Sequence, residues 1–141
     1  MKHKITTEWL GKMAFNSKVI GGEVPLDADE AVGGEGKGVR PKSLMLSSLS
    51  GCTGMDVTSL MKKMRTDESV SKFTVEVEGE LTDEHPKIYK KVHVSYIFEG
   101  KEMNEAKLTK AVNLSIERYC GVFEMFRHFA EVSHEIIFIE K

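Results

Sequence analysis

The stretch from Pro41 to Met64 sets the strongest limit on how this 141-residue chain can fold. Proline suits the first position of a helix, because its missing N–H would have no partner there. Leu44, Met45, Leu46, Leu49, Cys52, Met55, Val57, Leu60 and Met61 follow, spread round much of the helical circumference. A helix apolar on so many sides is expected to be buried on most of them. Ser47, Ser48, Ser50 and Gly51 are small enough to let other backbones approach. Lys62, Lys63 and Arg65 put positive charge at the C-terminal end, where the helix dipole favours it.

The rest of the chain offers limited cover for such a helix. Ile5, Thr7 and Trp9 alternate with more polar neighbours, and Met13, Phe15 and Val19 continue the pattern beyond a turn at Leu10-Gly11-Lys12. These residues predict a hairpin. A short third strand fits Glu23–Asp27, with Pro25 pointing to an edge position. Phe73, Val75, Val77, Gly79 and Leu81 alternate again, as do Val92, Val94, Tyr96 and Phe98 after a turn at Thr82–Lys87. Asn104 can cap a helix carrying Ala106, Leu108, Ala111, Val112 and Ser115. A shorter helix is expected from Tyr119 to Ala130, and a last strand from His134 to Glu140. The order βββ-α-ββ-αα-β describes an α+β protein. Later helices or a second subunit must enclose the central helix, and its excess apolar surface points to an intimate homodimer.

Composition removes several function classes. The length suits one domain over residues 1–141. With a net charge of −2 and no basic stripe beside Trp9, Tyr89 or Tyr119, nothing attracts nucleic acid. No run approaches the roughly 20 apolar residues of a membrane span, and the start has no signal-like apolar stretch. The expected location is cytoplasmic, where a disulfide is more often transient than structural. Gly33-Gly-Glu-Gly-Lys-Gly38 is a loop with four glycines in six residues. It is not a phosphate loop, since Ala31 and Gly38 occupy positions that need glycine and Ser or Thr. It reads as a mobile loop or one packed against another backbone.

Two cysteines carry the chemical interest. Cys52 sits within the long helix, and Cys120 stands where one helix ends and another begins. Neither belongs to a Cys-x-x-Cys pair, and His3, His85, His93, His128 and His134 have no metal-ligand spacing with them. No metal or cofactor is expected. Spacing alone leaves two readings: inert core thiols, which is the ordinary one, or a single redox centre assembled by the fold. Asp56, four residues after Cys52, could contact a polar group on the next turn; a hydrated carboxylate or a helix-pairing group is the plainer reading. The methionines read as core filler, or as the lining of an adaptable apolar pocket.

The run Gly38-Val-Arg-Pro-Lys-Ser-Leu-Met-Leu-Ser-Ser-Leu-Ser-Gly-Cys-Thr-Gly-Met-Asp-Val57 resembles the cysteine-helix signature of OsmC/Ohr proteins. Glu84-His-Pro-Lys-Ile-Tyr89 and Leu114-Ser-Ile-Glu-Arg-Tyr-Cys-Gly-Val122 resemble that family's later hairpin and second-cysteine motif, nearer to the OsmC-like branch than to Ohr. The similarity runs over nearly the whole chain. It implies an intertwined homodimer with a buried central helix and two active sites at the subunit interface. It also implies reduction of organic hydroperoxides or peroxides by a cysteine pair, without metal or flavin. By position, Cys52 matches the attacking cysteine and Cys120 the resolving one, with an external dithiol as reductant.

The supporting charges depart from that pattern. Ohr enzymes carry a glutamate ten residues before the cysteine, where this chain has Lys42, and an arginine in the first hairpin, where this chain has none. Arg40 is the arginine available before Cys52, either to hold its thiolate or simply to lead into the helix. Pro41 lies about 16 Å along the helix from Cys52, at about 1.5 Å per residue, so Arg40 would need a folded-back loop or the other subunit to reach it. Glu117 matches a glutamate of the OsmC-like branch that could orient Arg40; a surface glutamate is the plainer reading. Cys120, close to a helix start, is expected to gain thiolate character from backbone amides. Alternative functions are a non-catalytic dimer holding an apolar small molecule and a cysteine redox sensor.

Overall fold

The computed structural model describes residues 1–141. Its elements are β1 (Thr6–Gly11), β2 (Ala14–Val19), β3 (Gly22–Leu26), α1 (Pro41–Lys63), β4 (Val70–Leu81), β5 (Tyr89–Gly100), α2 (Glu105–Leu114), α3 (Gly121–Arg127) and β6 (Glu131–Glu140). This is the predicted βββ-α-ββ-αα-β order of an α+β protein. Contacts cluster into two compact units, residues 1–45 and 46–141, with the boundary inside α1. No helix is long and apolar enough to cross a membrane.

The N-terminal unit is built on an antiparallel sheet in the order β1-β2-β3. Gly11 and Lys12 both take positive φ to close the first turn, and the Trp9 indole donates to the Lys12 carbonyl at 2.8 Å. Pro25 does lie in an edge strand. Its carbonyl accepts the Val39 N–H at 2.9 Å, and Leu26 forms a single parallel bridge with Val39.

The glycine-rich loop is packed against backbone. A Cβ on Gly34 would stand 1.8 Å from the Ala28 carbonyl oxygen, and one on Gly38 would stand 2.6 Å from the Pro25 carbonyl carbon. The buried Asp27 carboxylate holds the loop, accepting the N–H groups of Ala28 (2.8 Å), Glu35 (3.1 Å) and Lys37 (3.1 Å). These bonds, that from Lys37 foremost, hold its pKa below the ordinary carboxylate value against the opposing effect of burial.

The C-terminal unit is built on the sheet β4-β5-β6. β4 and β5 form the predicted hairpin, and β6 runs parallel to β5. Val92, Val94, Tyr96 and Phe98 alternate along β5 and are buried, as a strand central to its sheet requires. They meet Leu49, Val57 and Met61 of α1, Leu108, Ala111 and Val112 of α2, and Phe123 and Phe126 of α3 in one core.

Within one chain α1 buries one stripe, Leu49, Thr53, Val57 and Met61, at four-residue spacing. Leu46, Cys52 and Leu60 pack partly against the core, while Met45 and Met55 remain exposed, Met55 at 74%. A single sheet covers a single side of a helix, and the exposed side is the one that the sequence reading leaves to a second subunit.

Cys120 does stand where one helix ends and another begins. The last turn before it, Ser115–Tyr119, is π-helical, marked by the bond from Cys120 N–H to the Ser115 carbonyl at 2.8 Å. The widened turn frees carbonyls, and Arg127 donates to that of Ile116 at 2.6 Å while its guanidinium lies over the Phe123 ring.

Candidate functional site

The site is assembled by three elements of the C-terminal unit. α1 carries Cys52, Thr53 and Asp56, the last four residues beyond Cys52 and so on the same side of the helix. The π-helical turn supplies Ser115 at its start and delivers Cys120 at its end. β5 directs Tyr96 inward.

The fold brings together the two thiols that the sequence leaves far apart. The sulfurs of Cys52 and Cys120 and a carboxylate oxygen of Asp56 all lie within 4.8 Å of one another. Both cysteines are free thiols; Cys52 is half-buried and Cys120 is buried. Cys120 caps α3, its sulfur accepting the Phe123 N–H at 3.3 Å.

That cap does not make Cys120 acidic, contrary to expectation. Burial pushes its pKa up from 9.0 to about 12. The Phe123 amide opposes the shift, while Cys52 and Asp56 add to it. One N–H dipole cannot replace the hydration that burial removes, and the neighbouring acids repel a second negative charge.

Asp56 lies in this cluster, and it makes a polar contact to Ser115 rather than standing only as a hydrated carboxylate. Ser115 Oγ donates to Asp56 Oδ2 at 3.0 Å. Ser115 Oγ is 2.8 Å from Thr53 Oγ1, which is 2.7 Å from the Tyr96 hydroxyl. Each hydroxyl has one proton, so the direction follows from the carboxylate end. Ser115 spends its proton on Asp56, Thr53 donates to Ser115, and Tyr96 donates to Thr53. Thr53, Ser115 and Tyr96 are all fully buried. Burial pushes the Tyr96 pKa to about 12, with the bond to Thr53 working against it. The Tyr96 proton thus stays in place to anchor the chain.

Access exists beside the cluster. A depression of ≈ 310 Å³ is lined by Asp56, Ser59, Leu60, Lys63 and Tyr119. A second, of ≈ 410 Å³, reaches Cys120 between Glu117, Tyr119, Glu124 and Arg127. Two thiols and a carboxylate are also donor types suited to a thiophilic divalent cation, which would need a fourth ligand to complete a tetrahedral shell.

Among the charged candidates, Glu117 lines the depression that reaches Cys120. Arg40 belongs to the N-terminal unit, where it donates to the Gly38 carbonyl at 2.9 Å and stands 3.9 Å from Asp29. Glu117 is exposed on the π-helical turn; of the two arginines in its depression, Arg127 pairs with Glu124 and Arg118 lies over the Tyr119 ring. Lys42 is an exposed residue of the first turn of α1. Thr53, Ser115 and Tyr96 were absent from the sequence-derived site. Spacing gave no sign of Thr53 or Tyr96, since each lies within an apolar pattern and reads as core. The position of Asp56 one helical turn from Cys52 was the one usable signal.

Comparison with known proteins matches this arrangement to a family. A family profile described as OsmC-like protein matches residues 34–135, which contain both cysteines. Protein YhfA of Escherichia coli K12 is 26% identical over 128 residues, covering 90% of this chain and 91% of its own. The crystal structure of a hypothetical protein from Aquifex aeolicus VF5 is 30% identical, with a TM-score of 0.79 over 98% of each chain. A Legionella pneumophila structure described as an organic hydroperoxide resistance protein OsmC has the same fold, with a TM-score of 0.67 over 97% of each chain at 16% identity. With the profile spanning most of the chain and the order of elements the same, this protein belongs to the OsmC-like family.

Proposed function

We propose that this protein reduces organic hydroperoxides through its thiols, with Cys52 attacking and Cys120 resolving. The observation that carries the reading is the pairing of the half-buried Cys52 with the buried Cys120, their sulfurs within 4.8 Å. A peroxide can approach the first, and the second has the first as its neighbour. The ionised Cys52 sulfur attacks the O–O bond, the alkoxide leaves and takes a proton, and Cys52 becomes a sulfenic acid. Cys120 then displaces water from that sulfur to form the disulfide. A cellular dithiol returns both thiols by exchange. The hydroperoxide-resistance description of the Legionella relative supports this class of substrate.

The test is mass spectrometry after brief treatment with an alkyl hydroperoxide. Loss of two hydrogen atoms on the Cys52–Cys120 pair, followed by turnover with a dithiol, is expected. Cys52→Ser should abolish peroxide consumption, and Cys120→Ser should let the Cys52 sulfenic acid accumulate and over-oxidise. An adduct of a sulfenic-acid reagent confined to Cys120 reverses the assignment.

The same reading places the protein as a homodimer. The exposed Met55 stands beside Gly51 and Gly54 in a groove with Phe73 and Val75, an apolar strip shaped for close backbone approach. An interface above about 2,000 Å² is expected, as in obligate dimers. A folded monomer in sedimentation at micromolar concentration would refute it.

A further inference from the structure

Resolution of the sulfenic acid has an obstacle in this site. The attacking sulfur must lose its proton, yet Cys120 is buried, and Cys52 and Asp56 both disfavour its thiolate. Left to its own ionisation, such a thiol reacts through a very small anionic fraction. The cluster nevertheless holds a proton acceptor within reach of both sulfurs. That acceptor is aimed by a buried chain of hydroxyls anchored on Tyr96.

We propose that Asp56 is the general base of the resolving step, carrying the Cys120 proton to the hydroxide that leaves Cys52. The proposal rests on the hydroperoxide-reductase reading and deepens it. As the Cys120 S–H bond breaks, its proton passes to the Asp56 carboxylate and the sulfur electron pair attacks Cys52. The S–S bond forms and the S–O bond breaks. The departing hydroxide takes the proton from Asp56 and leaves as water, restoring the carboxylate. Cys120 is oxidised, the Cys52 sulfur is reduced, and no other reactant is required.

The geometry fits both halves of this transfer. Ser115 bonds one carboxylate oxygen, Oδ2, and a carboxylate has further lone pairs to receive a proton. Asp56 also lines the depression shared with Ser59, Leu60, Lys63 and Tyr119, through which water can depart. The titratable and charged groups facing the cluster are Cys52, Asp56 and Lys63 from α1, Glu117, Arg118, Tyr119 and Cys120 from the α2–α3 junction, Glu124 and Arg127 from α3, and Tyr96 from β5. Tyr96 keeps its proton to about pH 12, so it orients Asp56 without competing for the transferred proton. Asp56 raises the Cys120 pKa, so it helps that thiol by accepting its proton and not by stabilising its anion.

The experiment separates the two half-reactions in single turnover, with a chelator present to exclude metals. Wild type and Asp56→Asn are treated with one equivalent of alkyl hydroperoxide, quenched, and scored for Cys52 sulfenic acid and for disulfide. Wild type should form the disulfide at a nearly flat rate between about pH 6 and pH 9. Asp56→Asn should form it about 100-fold more slowly, with sulfenic acid accumulating and the rate rising about tenfold per pH unit. A folded Asp56→Asn protein with the wild-type rate and profile overturns the proposal. If that variant does not fold, the wild-type profile decides: a flat rate supports the proposal, and a tenfold rise per unit overturns it. Thionitrobenzoate release from an aromatic disulfide reagent provides a peroxide-free control. The first equivalent reports attack by Cys52 and the second attack by Cys120. Absence of both sulfenic acid and disulfide in peroxide-treated wild type defeats the peroxidase reading, whereas equal second-phase release in both proteins defeats the role of Asp56.

Discussion

Trp9 of β1 is 66% exposed, whereas Phe98 of β5 is fully buried between the rings of Phe73 and Phe138. Both belong to three-stranded sheets with clear alternation. The C-terminal sheet lies under helical cover from its own unit and builds the core and the thiol cluster. The N-terminal sheet leaves Trp9, Leu10 and Ile20 open and depends on backbone packing and on Asp27 for its order. Alternation shows that a strand has two faces, and the cover available decides whether either is buried.

The sharpest test of this contrast is truncation in the core. Phe98→Ala should cost about 3–5 kcal/mol in urea unfolding, the usual range for deleting a buried aromatic ring. A cost below 1 kcal/mol would break the comparison, because β5 would then be no better supported than β1.

The N-terminal unit should be most sensitive at its loop. Gly38→Ala would drive a Cβ to 2.6 Å from the Pro25 backbone, which cannot rotate away. A loss of about 1–3 kcal/mol is expected from such overpacking. Gly51→Ala, where nothing lies within 4 Å of the new Cβ, is the control. Equal effects from the two substitutions would show that the loop is free rather than packed.

The units should also respond to opposite ends of the pH scale. Asp27 has a lowered pKa, so its contribution is complete above the ordinary carboxylate value of 3.8 and is lost as pH falls through its folded value. Cys120 and Tyr96 are raised to about 12 from 9.0 and 10.0. The unfolded chain releases those protons first, so the stability they confer is complete below about pH 9 and is lost as pH rises towards 12. Thermal melts across pH should flatten on the acid side in Asp27→Asn and on the alkaline side in Cys120→Ser and Tyr96→Phe. Unchanged slopes in these variants would separate the pH response from these groups.

The smallest effect is expected where exposure is greatest. Trp9→Ala should alter the stability of the folded chain by no more than about 0.5 kcal/mol, as surface changes usually do. If the exposed N-terminal sheet is a subunit surface, the same substitution should lower dimer affinity in sedimentation. A large stability loss without any change in association would place Trp9 in a core instead.

Much of the architecture was legible in the sequence because its periodicities are local. Val92, Val94, Tyr96 and Phe98 announced a strand, Pro41 and the lysines at 62 and 63 marked the ends of α1, and Pro25 marked an edge. The site was legible in part. Cys52 and Cys120 stood out by residue type and by family resemblance, but Ser115 was assigned to a helix pattern, and Thr53 and Tyr96 to none or to the core. Arg40 and Glu117 stood out through charge and resemblance; Arg40 bonds within the N-terminal unit, and Glu117 lines the depression that reaches Cys120. Charge is visible in a sequence, whereas the partner of a buried hydroxyl is not.

The sequence by itself determined the element order, the two isolated thiols and the exclusion of a phosphate loop. Each depends on neighbours a few residues apart, where backbone geometry fixes what can follow. Only the tertiary structure decided that α1 buries one stripe, that Asp56 faces both sulfurs, and that Cys120 keeps its proton. Those outcomes depend on groups from α1, β5 and the π-helical turn meeting away from water. There the loss of hydration outweighs the local helix amide, and a single hydroxyl chain can aim a carboxylate.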